Sequence, residues 1–272
     1  RDKLVTGVQT CALPIWGYNI APEYLGDGVT TGWRDCAVRV HGPAVAELTR
    51  AFERMLAISE RGQRQFDMLR RNREPAPVDL GTLGTLLLGG PGRTQNAIVR
   101  SLVRDLSSAK DVRLLVPYFL PGIRLRRAIQ RVVRRGGVVQ LILPGKSDVP
   151  MSRLAARDLY QRMLNNHVRI FEYHPQVLHG KLFIIDDRAY IGSCNLDTRS
   201  LRINYEVMLR ITSTQFVQDA RGFLDETLRY CRAIDPRLWK TERGLMEKLH
   251  ERWSHFLLSK VDPYVTRWLE KR

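Results

Sequence analysis

The sequence predicts an α/β fold: a mixed, largely parallel sheet flanked by helices, with amphipathic helices at its end. Three observations predict it. From Thr85 onward, apolar strand-like runs alternate with amphipathic helical runs, the pattern of β-α-β units whose helices cover both sheet faces. Two further apolar runs, His179–Ile185 and Ala189–Gly192, follow each other as a hairpin. Finally, GYNI…GWRDCAVRV echoes GSCNL…NYEVMLRI: a Gly and an Asn, then an acidic residue leading into an apolar strand. The echo predicts one complete half-domain preceded by the remnant of another.

In chain order, Arg1–Ile15 shows neither helical nor strand period. Its segment VTGVQTCALPI reads as the translation of a sequencing-library adapter, so residues 1–15 are expected to be foreign to the fold. Residues 16–60 form the expected remnant of the first half. Within it RDCAVRV alternates polar and apolar residues as a half-buried strand does. Pro43 then opens a helix, with Val45, Leu48, Phe52 and Leu56 at helical spacing. A charged helical stretch at 61–73 and the Pro-rich NREPAPVDLG make 61–83 a linker. The second half, 84–232, begins with the strand TLLLGG and a helix over 94–109 carrying Ile98, Leu102 and Leu106. DVRLLVPYFLP is a strand, GIRLRRAIQRVVRRGG a helix closed by two glycines, and VVQLILPG a buried strand. Residues 151–165 are helical, HVRIFEY is a strand, and after the hairpin come a strand over 205–211 and a helix over 214–232. The segment 233–272 is expected to be a basic amphipathic tail, with Leu245, Leu249, Trp253, Phe256 and Leu257 on one stripe beside Lys248, Arg252 and Lys260.

The 272 residues include 44 Lys and Arg against 28 Asp and Glu, a net charge of +16. That balance favours anionic partners: phospholipid headgroups, phosphorylated substrates or nucleic acid. The four cysteines form no CxxC pair, and no Cys/His spacing suits zinc.

The chemistry concentrates in LHGKLFIIDDRAYIGSCNLDTRS. In a strand, residues two apart share a face, so His179 and Lys181 point together, and Ser193 and Asn195 do likewise on the return strand. Four polar side chains beside LFII are costly unless they serve a ligand. An anion site explains them. Lys181, Ser193 and Asn195 would hold phosphoryl oxygens, and His179 would perform the covalent or acid–base step.

The run HGKLFIIDDRAYIGSCN resembles the HxKxxxxD…GSxN motif of the phospholipase D superfamily, with five residues rather than six between Asp186 and Gly192. VPYFLP, RRGG with LPGKSD, and NLDTRSLRINYE resemble the bacterial cardiolipin synthases of that superfamily. The resemblance implies metal-free phosphoryl transfer through a phosphohistidine, with one histidine from each of two motifs and no cofactor. It implies that His179 and Lys181 are catalytic and that Asp186 completes the motif as a structural residue away from the phosphate. It implies that Lys181, Ser193, Asn195 and, from the first half, Asn19 bind phosphate. Glu206 is expected to orient His179, and Asp35 to be the orienting acid of the first half, whose own His and Lys are expected to lie upstream. His41, His167, His174, His250 and His255 are expected to be structural or on the surface, and Cys194 to pack. The implied partners are a phosphatidylglycerol-like anionic phospholipid and a membrane surface, on the cytoplasmic side of a bacterial inner membrane. A nuclease acting on nucleic acid and a non-catalytic phosphate-binding chain are the alternatives.

Overall fold

The structure is a computed structural model of the chain and describes residues 12–17, 19–60, 76–90, 96–241 and 243–262. The helical run expected at 61–73 lies outside the described residues, as does most of the expected linker.

The described chain begins with a two-stranded ribbon, β1 (Ala12–Trp16) and β2 (Ala37–His41), paired antiparallel with Trp16 opposite Ala37. No periodicity in the sequence signals β1. The apolar run ALPIW nonetheless pairs with β2, and Pro14 fits because edge strands tolerate a missing amide hydrogen. In β2, Val38 and Val40 are buried, as the alternation requires. Helix α1 (Ala44–Glu60) buries Val45, Leu48 and Ala51, whereas Phe52 and Leu56 are exposed, so only the first half of its predicted apolar stripe is covered.

The remaining strands are β3 (Val78–Asp79), β4 (Gly84–Gly89), β5 (Asp111–Leu115), β6 (Val138–Pro144), β7 (Arg169–Tyr173), β8 (Leu182–Ile185), β9 (Arg188–Gly192), β10 (Glu206–Ile211) and β11 (Cys231–Ala233). They form one sheet in the order β11-β7-β6-β5-β8-β9-β10-β4-β3. Only β5, β6 and β7 run parallel. The expectation of a largely parallel sheet is therefore corrected to a mixed one. Parallel pairing needs a crossover, and helices α3 (Ile123–Arg134) and α4 (Pro150–Leu164) supply it for these three strands. Strands β8, β9 and β10 follow one another antiparallel.

Helix α2 (Ala97–Leu106) is capped by Asn96, whose side chain accepts from the Val99 amide. Helix α5 (Thr198–Arg202) is capped likewise by Asp197, and α6 (Thr214–Leu228) by Ser213. The helix expected to reach Arg232 stops at Leu228, because 231–233 pair with β7 at the sheet edge. The boundary expected at 233 thus falls inside a strand.

Strand alternation divides the core in two. Phe183, Ile185 and Tyr190 join the cluster under α2, α3 and α4. Leu182, Ile184 and Ile191 join the cluster under β2, α1 and α6. All four positions of β8 are buried, and each such side chain contributes about 1.5–3 kcal/mol. The strand that follows His179 and Lys181 is thereby held rigidly.

The C-terminal segment is docked on the domain. Helices α7 (Pro236–Thr241) and α8 (Leu245–Phe256) pack on α4. Glu251 is buried and accepts from Arg157 Nε at 3.1 Å and from Arg243. Arg157 also donates to the buried Glu172 at 3.2 Å. The indole of Trp239 lies between these two guanidiniums, 4.5 Å from that of Arg157 and 4.2 Å from that of Arg243. This network occupies one face of α8 and leaves Leu245, Met246, Leu249, Trp253 and Phe256 exposed on the other.

Candidate active site

Residues 33–36 are pinned beside residues 177–180. The Arg34 amide donates to Val177 O at 2.8 Å, and the His179 and Gly180 amides donate to Arg34 O at 2.8 and 3.1 Å. The Arg34 side chain runs the other way into α6, bonding Thr227 and Glu226 and stacking 4.4 Å over Phe223. Gly180 permits this approach: a Cβ there would lie 2.9 Å from Leu115 and 3.2 Å from Cys36 Sγ.

The docking sets Asp35 against His179, Oδ2 to Nδ1 at 2.8 Å. A second bond, from the Cys36 amide to Asp35 Oδ1 at 2.7 Å, fixes the carboxylate. A carboxylate can only accept, so Nδ1 carries the hydrogen and Nε2 carries the lone pair. Lys181 Nζ lies 3.0 Å from that nitrogen and 2.9 Å from Nδ1, and donates to His179 O at 2.6 Å and Gly17 O at 3.4 Å. Its ammonium is buried, and burial lowers its pKa to about 8 against the opposing pull of Asp35. His179 and Lys181 precede β8 instead of lying within it, so an extended loop, not sheet pleat, aligns them.

The acid that meets His179 is not the one expected. Asp35, expected to serve the first half, holds His179. Glu206, expected to hold His179, accepts from Ser193 Oγ and from Asn204 at 3.3 Å. The reason lies in the register: β10 puts Met208 opposite Gly192, which brings Glu206 beside Ser193. Burial raises the pKa of Glu206, and the Ser193 hydrogen bond opposes that rise. Ser193 also accepts from the Val207 amide at 3.1 Å, so its hydroxyl hydrogen is already committed to Glu206. Asn195 differs: its Oδ1 is buried without a partner among the described residues, free to meet a ligand. Asn19 is exposed at the rim and reaches Tyr24 OH at 3.5 Å.

Asp186 stands at the far end of β8. It adopts φ 51 in the hairpin turn and accepts from the Lys110 and Asp111 amides, both at 2.9 Å. Asp187 is turned outward to Arg188. Asp186→Ala should cost about 1–3 kcal/mol in urea melts, through two lost hydrogen bonds to Oδ1 and a side chain held at positive φ. Asp186→Asn should recover most of that loss, and site chemistry per folded molecule should be unchanged in both.

Sequence reasoning missed an aromatic wall. Tyr24 and Trp33 pack on the His179 ring, with centroids at 5.3 and 5.5 Å. Both lie in a Gly-rich loop, and only the paired aromatics in EYLG…TGW could have signalled them. Tyr118, from VPYFLP, donates to Asp148 at 2.6 Å. The cysteines near the site are poor nucleophiles, since burial pushes the Cys36 thiol up to about 12 and holds the Cys194 thiol well above its ordinary value. His255 is paired with Asp158 on the C-terminal side of the molecule, away from this group.

Residues 102–227 match the family described as "Cardiolipin synthase, PLD-like domain". The chain is 32% identical over 227 residues to cardiolipin synthase B of Salmonella typhi, covering 81% of this chain and 54% of that protein. It is 32% identical over 231 residues to cardiolipin synthase A of Pseudomonas syringae pv. syringae (strain B728a), covering 81% and 46%. In fold it is similar to phosphatidylserine synthase of Haemophilus influenzae Rd KW20, with TM-score 0.54, 16% identity, and 73% and 52% coverage. The chain spans about half the length of the curated relatives it matches.

Proposed function

Because this chain carries a phospholipase D-like domain similar to those of cardiolipin synthases, we propose that it takes part in phosphatidyl transfer between anionic phospholipids of the phosphatidylglycerol type. The observation that carries the reading is the His179–Asp35–Lys181 group: a ring with a carboxylate on one nitrogen and a buried cation 3.0 Å from the other. A phosphodiester bound there would place one oxygen on Lys181. In the first step a histidine nitrogen forms a bond to phosphorus, and the bond to the first alcohol breaks as a second group protonates its oxygen. In the second step that group takes the proton of the acceptor hydroxyl, whose oxygen attacks phosphorus and frees the histidine. Asn195 Oδ1 would accept from a hydroxyl of the bound lipid, and Asn19 would meet the headgroup at the rim.

His179 supplies one of the two acid–base groups. Among the described residues no other histidine joins this site, so the partner group comes from elsewhere. A second copy is hindered, because Tyr24, Trp33 and Asp35 already cover His179 and Gly17 covers Lys181. We therefore expect the 272-residue chain, assayed alone, to show no transfer with phosphatidylglycerol and no hydrolysis of plasmid DNA. Turnover of phosphatidylglycerol would mean that dimerisation or another acid completes the site. Plasmid hydrolysis would favour the nuclease reading, which the +16 charge also suits.

The phospholipid reading puts the protein at the cytoplasmic face of a bacterial inner membrane. No described helix is long and apolar enough to cross a bilayer, so attachment by these residues would be peripheral, through the exposed stripe of α8.

A further inference from the structure

A cleft of about 1180 Å³ opens between α3, α4, α5 and α8. None of His179, Lys181, Asp35, Ser193, Asn195 and Glu206 lines it. One wall is cationic, led by Arg126 of α3 and Arg162 of α4, with Lys248 and Arg252 of α8 beside them. The acidic residues of the cleft are engaged within the protein: Asp158 holds His255, Asp197 caps α5, and Glu251 joins Arg157 to Arg243. Arg126 and Arg162 form no ion pair among the described residues. Arg126 is half-buried, and burial together with the Arg162 charge disfavours its cationic form. Asp158 offsets part of the charge of this pair but is itself bonded to His255, and two neighbouring guanidiniums suit a phosphate.

The other wall is apolar. Leu249 and Phe256 line the cleft, and Trp253, 60% exposed, meets Phe256 edge-on at 6.0 Å. Cations on one wall and an apolar lip formed by Leu249, Trp253 and Phe256 match a molecule that carries an anionic head and hydrocarbon chains. We propose that this cleft is a second phospholipid site, separate from the site at His179. It seats the phosphate of one anionic phospholipid on Arg126 and Arg162, lays its chains along Leu249, Trp253 and Phe256, and so holds α8 against the bilayer. The inference rests on the reading of the chain as a phospholipid protein, but it needs no chemistry at His179. Inorganic phosphate or nucleic acid would use the arginines and ignore the lip.

The test is co-sedimentation of the 272-residue chain with vesicles of phosphatidylglycerol and of phosphatidylcholine, with inorganic phosphate and a DNA duplex as competitors. Three variants are compared: Arg126→Gln with Arg162→Gln, Leu249→Ser with Trp253→Ser, and His179→Ala. All the cleft substitutions are at half-buried or exposed positions, and circular dichroism checks their folding. Phosphatidylglycerol vesicles should bind and phosphatidylcholine vesicles should not. The arginine pair should weaken binding about thirtyfold, from about 1 kcal/mol for each basic group at an anionic surface. The apolar pair should weaken it about tenfold or more, and His179→Ala should change it less than either pair. Millimolar phosphate should not compete, and added salt should weaken binding. An effect of the arginines without an effect of the lip, or displacement by phosphate or DNA, would make this a plain polyanion site and overturn the proposal. Loss of binding in His179→Ala alone would place the lipid at the other site and overturn it equally. Intact vesicle binding in a protein that performs no transfer in any form would sink the catalytic reading and leave this one standing.

Discussion

His179→Ala is expected to abolish phosphatidyl transfer in any form of the protein that performs it. The Nε2 of the ring faces the buried cation, and its other nitrogen is bound to Asp35. Alanine removes the group that bonds to phosphorus or moves the proton, which is worth about 10²–10⁴-fold as acid–base chemistry alone and more as a nucleophile. Thin-layer assay of labelled phosphatidylglycerol would measure it. Activity within about tenfold of the unsubstituted protein, about 1.4 kcal/mol of barrier, would remove His179 from the chemistry. The two acids should then rank in an order set by the geometry. Asp35→Asn puts an amide against Nδ1 and permits the other tautomer, so it should cost about 10²-fold or more in kcat. Glu206 bonds Ser193 and Asn204 and not the ring, so Glu206→Gln should cost less. Equal losses would mean that the ring turns from Asp35 to Glu206 during the reaction.

The second large effect is expected at Lys181, where activity and stability should move in opposite directions. Its ammonium is held in a buried position, and burial brings its pKa down from 10.5 to about 8. Between those values the unfolded chain binds the proton that the folded chain has released, so stability rises with pH from about 8 to about 10.5. At neutral pH the buried charge therefore weakens the fold, by on the order of 3 kcal/mol. Lys181→Met keeps the stem and discards the charge. It should raise the urea midpoint at pH 7, flatten the stability rise above pH 8, and lower transfer by about 10³-fold, since nothing remains to hold the phosphoryl oxygen. A destabilised variant would show that the bonds to His179 O and Gly17 O outweigh the burial of the charge.

How much of this was legible in the sequence differs from element to element. The alternation from Thr85 onward specified the helices and strands of the main sheet, because burial on two faces demands apolar residues at helical and strand periods. The parallel run β5–β6–β7 followed from the crossover helices between those strands. Strand β1 was not legible, since five residues without a period acquire a structure only from the edge they pair with. The stripe on α8 was legible, but not the buried Glu251 that turns the opposite face of the helix toward Arg157.

The candidate site divides in the same way. Spacing alone put His179, Lys181, Ser193 and Asn195 at the open end of one hairpin, because a hairpin of that length brings its two entry points side by side whatever surrounds it. The sequence alone also determined that Asp186 belongs to the turn, since it keeps the spacing from His179. Only the tertiary structure decided which acid faces the ring. Asp35 lies 144 residues from His179 and meets it because the Arg34 backbone docks on residues 177–180 while its guanidinium is anchored in α6. A motif records which residue types travel together along the chain. The partner of a buried imidazole is set by which segment closes over it, and that choice is made by packing between distant segments, which no local spacing encodes.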